Sequence, residues 1–160
     1  MGAASTNPLR PLPTPADWDR GYWEAAARGS LVVQTCAGCG LVRNFPRLLC
    51  PDCASFDFEW VPAKGTGTLY SWSVLRRSFH PGFVDLPLII AIVELDDHPT
   101  VHLVTNLVDL ADGVLDDPEE CQRVLELDAP VEVTFERLAT ITLPQFRLVR
   151  PPSEGAPHAA

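Results

Sequence analysis

One hundred and sixty residues, 46% hydrophobic and 21% charged, make roughly one globular domain and exclude a large multidomain enzyme. The net charge of −9 is unevenly spread: residues 1 to 84 carry eight basic and six acidic side chains, residues 85 to 160 four and fifteen. The second half would repel a polyphosphate, so nucleic acid is not an expected partner and an anionic ligand belongs with the first half.

In chain order, the opening MGAASTNPLRPLPTP has no apolar core behind a positive charge, so no secretory leader is expected. A reducing cytoplasm is then the expected location, with the five cysteines as thiols or metal ligands. Pro8, Pro11, Pro13 and Pro15 fix φ and lack a donor, so residues 1–15 are expected to form a flexible, extended arm. Residues 16–30 read as a helix, with Thr14 as cap, Pro15 at its start, Asp17 in the first turn and Gly29 as stop. Trp18, Tyr22 and Ala25 or Ala26 would share one face of it. Three large aromatics, Trp18, Tyr22 and Trp23, exceed what a covering helix needs and are candidates for docking a partner.

Residues 31–63 form a module organised by cysteines. Cys36-Ala37-Gly38-Cys39 and Cys50-Pro51-Asp52-Cys53 are two knuckles in a C-x2-C-x10-C-x2-C pattern, whose thiolates can converge tetrahedrally on one ion. Gly40 stands where the first knuckle requires positive φ. Four thiolates leave no open position, so one structural Zn2+ is the expected occupant. Iron held for electron transfer is the competing reading, with a loop between the knuckles that is short for that role. Cys121, alone in an acidic stretch, reads as a half-buried thiol rather than a nucleophile.

Residues 64–150 contain five β segments, Thr68 to Leu75, Leu88 to Leu95, Thr100 to Leu107, Val131 to Leu138 and Thr140 to Val149. The second is almost continuously apolar; the fourth alternates Val131, Val133 and Phe135 with Glu132, Thr134 and Glu136. Asp96-Asp97-His98-Pro99 joins the second to the third. An acidic stretch, residues 109–128, separates the third from the fourth and holds a short helix near Pro118 to Leu127. Strand, strand, strand, helix, strand, strand is the order of an OB barrel, so the fold class is mainly β. Residues 151–160 read as a disordered tail. The longest apolar run, Leu86 to Val93, is eight residues and includes Pro87, far short of the roughly 20 that cross a bilayer, so no membrane association is expected.

No motif for a serine nucleophile, a phosphate loop or a catalytic metal is present in the sequence, and no catalytic residue is assigned. His98, His102 and His158 read as satisfied or solvated. The segment Arg76-Arg77-Ser78-Phe79-His80-Pro81-Gly82-Phe83 differs, since it puts cations and aromatics in one flexible loop beside the first barrel strand. Arg76, Arg77, Phe79, His80 and Phe83 suit an anionic, amphipathic ligand, with Arg43 and Arg47 as nearby charge. Tyr70, Trp72 and Val74 alternate on one face and read as packing; a base-stacking platform for single-stranded nucleic acid is the other reading.

The order of these parts, from Tyr22-Trp23-Glu24 through LVVQTCAGCGLVRNFPRLLCPDC and FHPGFVDLPLIIAIVELDD to PVEVTFERL and LPQFRLV, resembles the zinc-ribbon/OB-fold acyl-CoA-associated family over residues 17 to 150. That resemblance implies a rubredoxin-like zinc ribbon held by Cys36, Cys39, Cys50 and Cys53, followed by an OB fold. It also implies a non-catalytic accessory subunit that pairs, two plus two, with a thiolase or lipid-transfer-protein-like aldolase and shares an acyl-CoA site with it. Substrates of such assemblies are CoA thioesters of a steroid side chain, an aromatic acid or a similar compound. The longer acidic segment between Asp109 and Asp128 departs from the family pattern.

Overall fold

In a computed structural model that describes residues 7–110 and 118–149, the chain forms a helix, a three-stranded sheet and a closed five-stranded barrel carrying a second helix. Helix α1 is Arg20–Ala27, shorter than the expected 16–30. Asp19 accounts for the late start: its carboxylate accepts the Ala16 N–H at 2.6 Å, which winds residues 16–19 into a turn and leaves Trp18 ahead of the helix. The stop is as read. Gly29 has φ +73°, and the N–H groups of Ser30 and Gly29 return to the carbonyls of Ala25 and Ala26 at 3.0 and 2.9 Å, a Schellman closure.

Strands β1 (Val32–Cys36), β2 (Val42–Arg43) and β3 (Phe58–Pro62) form an antiparallel sheet in the order β2-β1-β3. Trp60 of β3 lies against α1, where a Cβ on Gly21 would come within 2.3 Å of the indole Nε1, so only glycine permits this approach. The ribbon continues into the barrel through Ala63, whose N–H bonds the Leu31 carbonyl, and Lys64, whose N–H bonds Asp97 Oδ2 at 2.8 Å.

The barrel strands are β4 (Thr66–Leu75), β5 (Leu88–Leu95), β6 (His98–Val108), β7 (Pro130–Arg137) and β8 (Thr142–Leu148), closed in the order β4-β5-β6-β8-β7. Helix α2 (Pro118–Val124) precedes β7. Strands β6 and β8 run parallel and β7 closes on β4 through Gly67 and Val131, the strand pairing of an OB fold. Asp96 and Asp97 make the turn between β5 and β6. The acidic residues 111–117 and the tail 150–160 lie outside the described residues, as do residues 1–6 of the arm.

Side chains fill the barrel. Leu69, Ile89, Ala91, Val93, Leu95, Val131 and Phe146 are at most 1% exposed, and Leu125 with Cys121 of α2 join them. Cys121 is therefore fully buried rather than half-buried. The same core runs without a break into Leu31, Val32 and Val33 of the ribbon and Tyr22 and Ala25 of α1. One sequence expectation fails inside β4. The register jumps between Leu69 and Ser71, so Tyr70 is thrown outward while Trp72 and Val74 turn in and pack on the core. A bulge inserts one residue and reverses the alternation that had put all three on one face.

Candidate metal centre and ligand loop

The β1–β2 hairpin carries the first knuckle, and residues 50–55 the second. In each, the N–H four residues after the first cysteine returns to its carbonyl, Gly40 to Cys36 at 2.9 Å and Ala54 to Cys50 at 3.0 Å. Both of those residues take positive φ, +76° and +58°, which turns the chain back so that the two sulfurs of a knuckle face one point. Gly38 eases the approach of the knuckles, since a Cβ there would lie a tight 3.2 Å from Ser55 Cβ and 3.3 Å from Cys53 Sγ.

The Cys36 and Cys53 sulfurs are 3.5 Å apart, those of Cys39 and Cys50 3.6 Å, and all four lie within 4.8 Å of one another. Tetrahedral coordination with Zn–S of about 2.3 Å requires sulfurs roughly 3.8 Å apart, so the cluster has the dimensions of a zinc site. Backbone donors, the Cys39 N–H foremost, lower the Cys36 thiol to about 6; the Cys53 N–H foremost lowers Cys50. The buried member of each knuckle is thus the one biased toward thiolate.

In the loop between β4 and β5, Phe79 and His80 are exposed and Phe83 is half-buried. Phe79 is 72% exposed and stacks, tilted, on Phe83 at 5.4 Å, while the His80 ring meets Phe83 edge-on at 6.1 Å. Ser78 Oγ donates to the His80 carbonyl at 2.7 Å, and the Gly82 N–H donates to His80 Nδ1 at 3.0 Å. That bond places the neutral ring's proton on Nε2. Arg77 is exposed in the same loop; Arg76 is exposed and engaged in contacts of its own. Arg43 is not nearby surface charge. It is 7% exposed, with Nε on Gln34 Oε1 and Nη2 on the Arg47 carbonyl at 3.3 Å, because pairing with Gln34 across β1 and β2 draws it into the ribbon.

The aromatic cluster divides. Tyr22 is 6% exposed, edge-on to Trp23 at 5.0 Å and 6.4 Å from Trp60, so it belongs to the core and offers nothing to a partner. Trp18 and Trp23 are half-buried; Trp23 with Pro15, Ala27, Leu138 and Ile141 lines a cleft of about 320 Å³ beside the hairpin of β7 and β8. The alternative reading of a base-stacking platform finds no shared face here, since Trp72 packs inward and Tyr70 lies against His102 at 4.6 Å, itself 3.2 Å from Glu94. Residues that the sequence reading missed are Phe45, Leu48, Leu49 and Phe56 on the ribbon and Ile90 and Val104 on the barrel, all 38–62% exposed. The continuous apolar run of β5 was the available signal for Ile90, because a strand covered on one face alternates.

Residues 23–59 match the ChsH2 rubredoxin-like zinc ribbon domain, and residues 60–136 the ChsH2 C-terminal OB-fold domain. The solved structure of an Ltp2-ChsH2(DUF35) aldolase superposes with a TM-score of 0.69 and 36% identity, covering 86% of this chain and 98% of the matched one. This chain belongs to the ChsH2 family. Its four cysteines are the zinc site of the ribbon, one structural ion with no open position. A probable enoyl-CoA hydratase alpha subunit of Thermomonospora curvata is 39% identical over 149 residues, 92% of this chain. The chain spans 42% of that curated relative's length. A DUF35-family protein of unknown function from Sulfolobus solfataricus shares the fold at 10% identity, with a TM-score of 0.52 over 84% of this chain and 87% of that one. Among the described residues no helix is long and apolar enough to cross a membrane.

Proposed function

We propose that this chain is the non-catalytic accessory subunit of a thiolase-superfamily enzyme, a thiolase or a lipid-transfer-protein-like aldolase, acting on acyl-CoA thioesters. The observation that carries the reading is the 36% identity to a ChsH2 chain of an aldolase complex over 98% of that chain's length. The zinc site stabilises the ribbon and takes no part in chemistry, because a closed thiolate set offers no position to a substrate. Phe79, His80 and Phe83, with Arg76 and Arg77 at the loop's start, form the surface for the thioester. Exposed rings accept the apolar acyl or adenine part, the His80 Nε2–H donates to a carbonyl or phosphate, and the guanidinium of Arg77 pairs with phosphate. The partner supplies the reacting groups and the rest of the pocket, in an assembly of two plus two.

Docking falls to Trp18 just ahead of α1, to Trp23 on α1, and to the ribbon's exposed Phe45, Leu48, Leu49 and Phe56, large apolar side chains that solvent disfavours. Substrates are CoA thioesters of a steroid side chain, an aromatic acid or a similar carboxylic acid. The test is purification of the tagged chain from its native host, with zinc measured on the same sample and retained proteins identified by mass. A thiolase-like enzyme in fixed ratio supports the reading. A zinc-loaded chain that recruits no such enzyme and binds no acyl-CoA sinks it.

A further inference from the structure

The first described residues fold back onto the ligand loop. Asn7 Nδ2 donates to the Pro81 carbonyl at 3.0 Å, and Asn7 Oδ1 and its carbonyl accept the N–H groups of Leu9 and Arg10 at 3.0 and 3.1 Å. This turn sits on Gly82, which is buried: a Cβ there would lie 2.4 Å from the Leu9 carbonyl oxygen and 2.6 Å from Arg10 Cα. Arg10 then reaches the barrel wall. Its Nη1 and Nη2 donate to the two oxygens of Glu136 at 2.7 and 2.8 Å, and Gln145 Nε2 donates to the same carboxylate at 2.6 Å. The Arg10 and Glu136 side chains are 13% and 20% exposed, so solvent screens this two-pronged pair far less than a surface ion pair. The Glu136 hydrogen bond foremost, with the charge of Asp85 at the far end of the loop, holds the Arg10 guanidinium above its ordinary value.

We propose that the proline-rich arm is a strap that fixes the Phe79 to Phe83 loop in its ligand-accepting position, with Arg10 and Glu136 as positioning residues for the acyl-CoA thioester. The assignment of the ligand to that loop rests on the reading above; the strap itself rests on the contacts just given. Pro11, Pro13 and Pro15 pre-extend the arm, so little chain entropy is lost in holding it across the barrel. Within the loop the hydrogen bonds among Ser78, His80, Gly82 and Phe83 and between Leu86 and Val84 are short-range, and Phe79 and His80 at its tip are exposed, so the arm supplies the long-range contact at Pro81 and Gly82. Because the strap leads directly into α1, one segment joins the loop to the Trp18 and Trp23 surface.

The experiment compares the zinc-loaded full chain with Arg10→Ala, Glu136→Gln, their double variant and Gly82→Ala. Gly82→Ala evicts the arm by steric overlap while leaving the ion pair's side chains intact. Amide hydrogen exchange is read at Gly82 and Phe83, and coenzyme A binding is read by calorimetry on the chain with its thiolase-like partner. Exchange at both amides is expected to rise roughly tenfold in Arg10→Ala and in Gly82→Ala, about what one charge-assisted pair holds. The double variant should be no faster than Arg10→Ala alone, since both substitutions break one contact. Coenzyme A affinity should fall roughly in proportion, with zinc content and barrel-core exchange unchanged. Unchanged loop exchange overturns the strap. Faster exchange with full coenzyme A affinity overturns the positioning role. A wild-type complex that does not bind coenzyme A, with loop exchange still raised in the variants, overturns the ligand reading and leaves the strap standing.

Discussion

Gly40 and Ala54 follow the second cysteine of each knuckle, and both hold left-handed backbone at φ +76° and +58°. An L side chain in that region costs about 1–2 kcal/mol through crowding of Cβ against the next carbonyl. Glycine avoids that cost but gives up more chain entropy on folding, about 0.5–1 kcal/mol. At Gly40 a new Cβ would meet nothing within 4 Å, so packing drops out and only the backbone is compared. Gly40→Ala is therefore expected to destabilise the zinc-loaded protein by about 1 kcal/mol, the strain less the entropy recovered. Ala54 is exposed and loses little with its methyl, so Ala54→Gly is expected to stabilise by a similar amount. For a domain of this size about 1 kcal/mol moves the melting temperature by about 2–4 °C. Thermal melts followed by circular dichroism, at saturating zinc, read both shifts. A Gly40→Ala protein melting with wild type, or an Ala54→Gly protein melting below it, would refute left-handed backbone as the constraint that shapes the knuckles.

Chelation of zinc at neutral pH should remove the ribbon's fold and, because Leu31, Val32 and Val33 are continuous with the barrel core, lower barrel stability as well; amide exchange in β1 and β5 with and without chelator reads the two effects separately. Phe146→Ala, at a side chain with no exposed surface in the middle of β8, should cost about 3–5 kcal/mol in denaturant unfolding, and a loss under 1 kcal/mol would place Phe146 outside the core. Leu48→Asp, 51% exposed, should abolish binding to a thiolase-like partner while leaving the melting temperature within about 1 °C, whereas Trp23→Ala should weaken binding and also cost stability through its contact with the core. Gel filtration of each variant with the partner, beside a melt, distinguishes docking from folding.

The metal site was legible because its chemistry is local: four cysteines in two short turns carry ligand type, number and spacing within eighteen residues of sequence. The barrel was legible in its strand order, since each strand announces itself by apolar content and the helix falls before the fourth. What sequence could not give were features decided by competition between contacts, near or far along the chain. Thr14 and Asp17 carry a cap signal that the Asp19 carboxylate overrides by bonding Ala16. Tyr70 alternates correctly until a bulge, invisible in a single strand's pattern, shifts the pairing with β5. Four prolines spell an unattached arm, and only the fold brings Glu136 within reach of Arg10, 126 residues away.

The filled barrel bears on why such a chain would work with a partner. A five-stranded barrel is too narrow to hold a ligand once its inward positions carry Leu69, Ile89, Val93 and Phe146, each at most 1% exposed. The zinc site is closed by its fourth thiolate, and its sulfurs answer to the fold rather than to a substrate. In the proposed reading ligand contact falls instead at the rim, where the Phe79 to Phe83 loop presents the exposed Phe79 and His80 rings rather than an enclosing wall. An open surface of this kind buries only one side of a thioester, and affinity comes from the second side. Supplying that side from another polypeptide makes binding conditional on assembly, so a rim that is weak alone becomes selective for the complex that completes it.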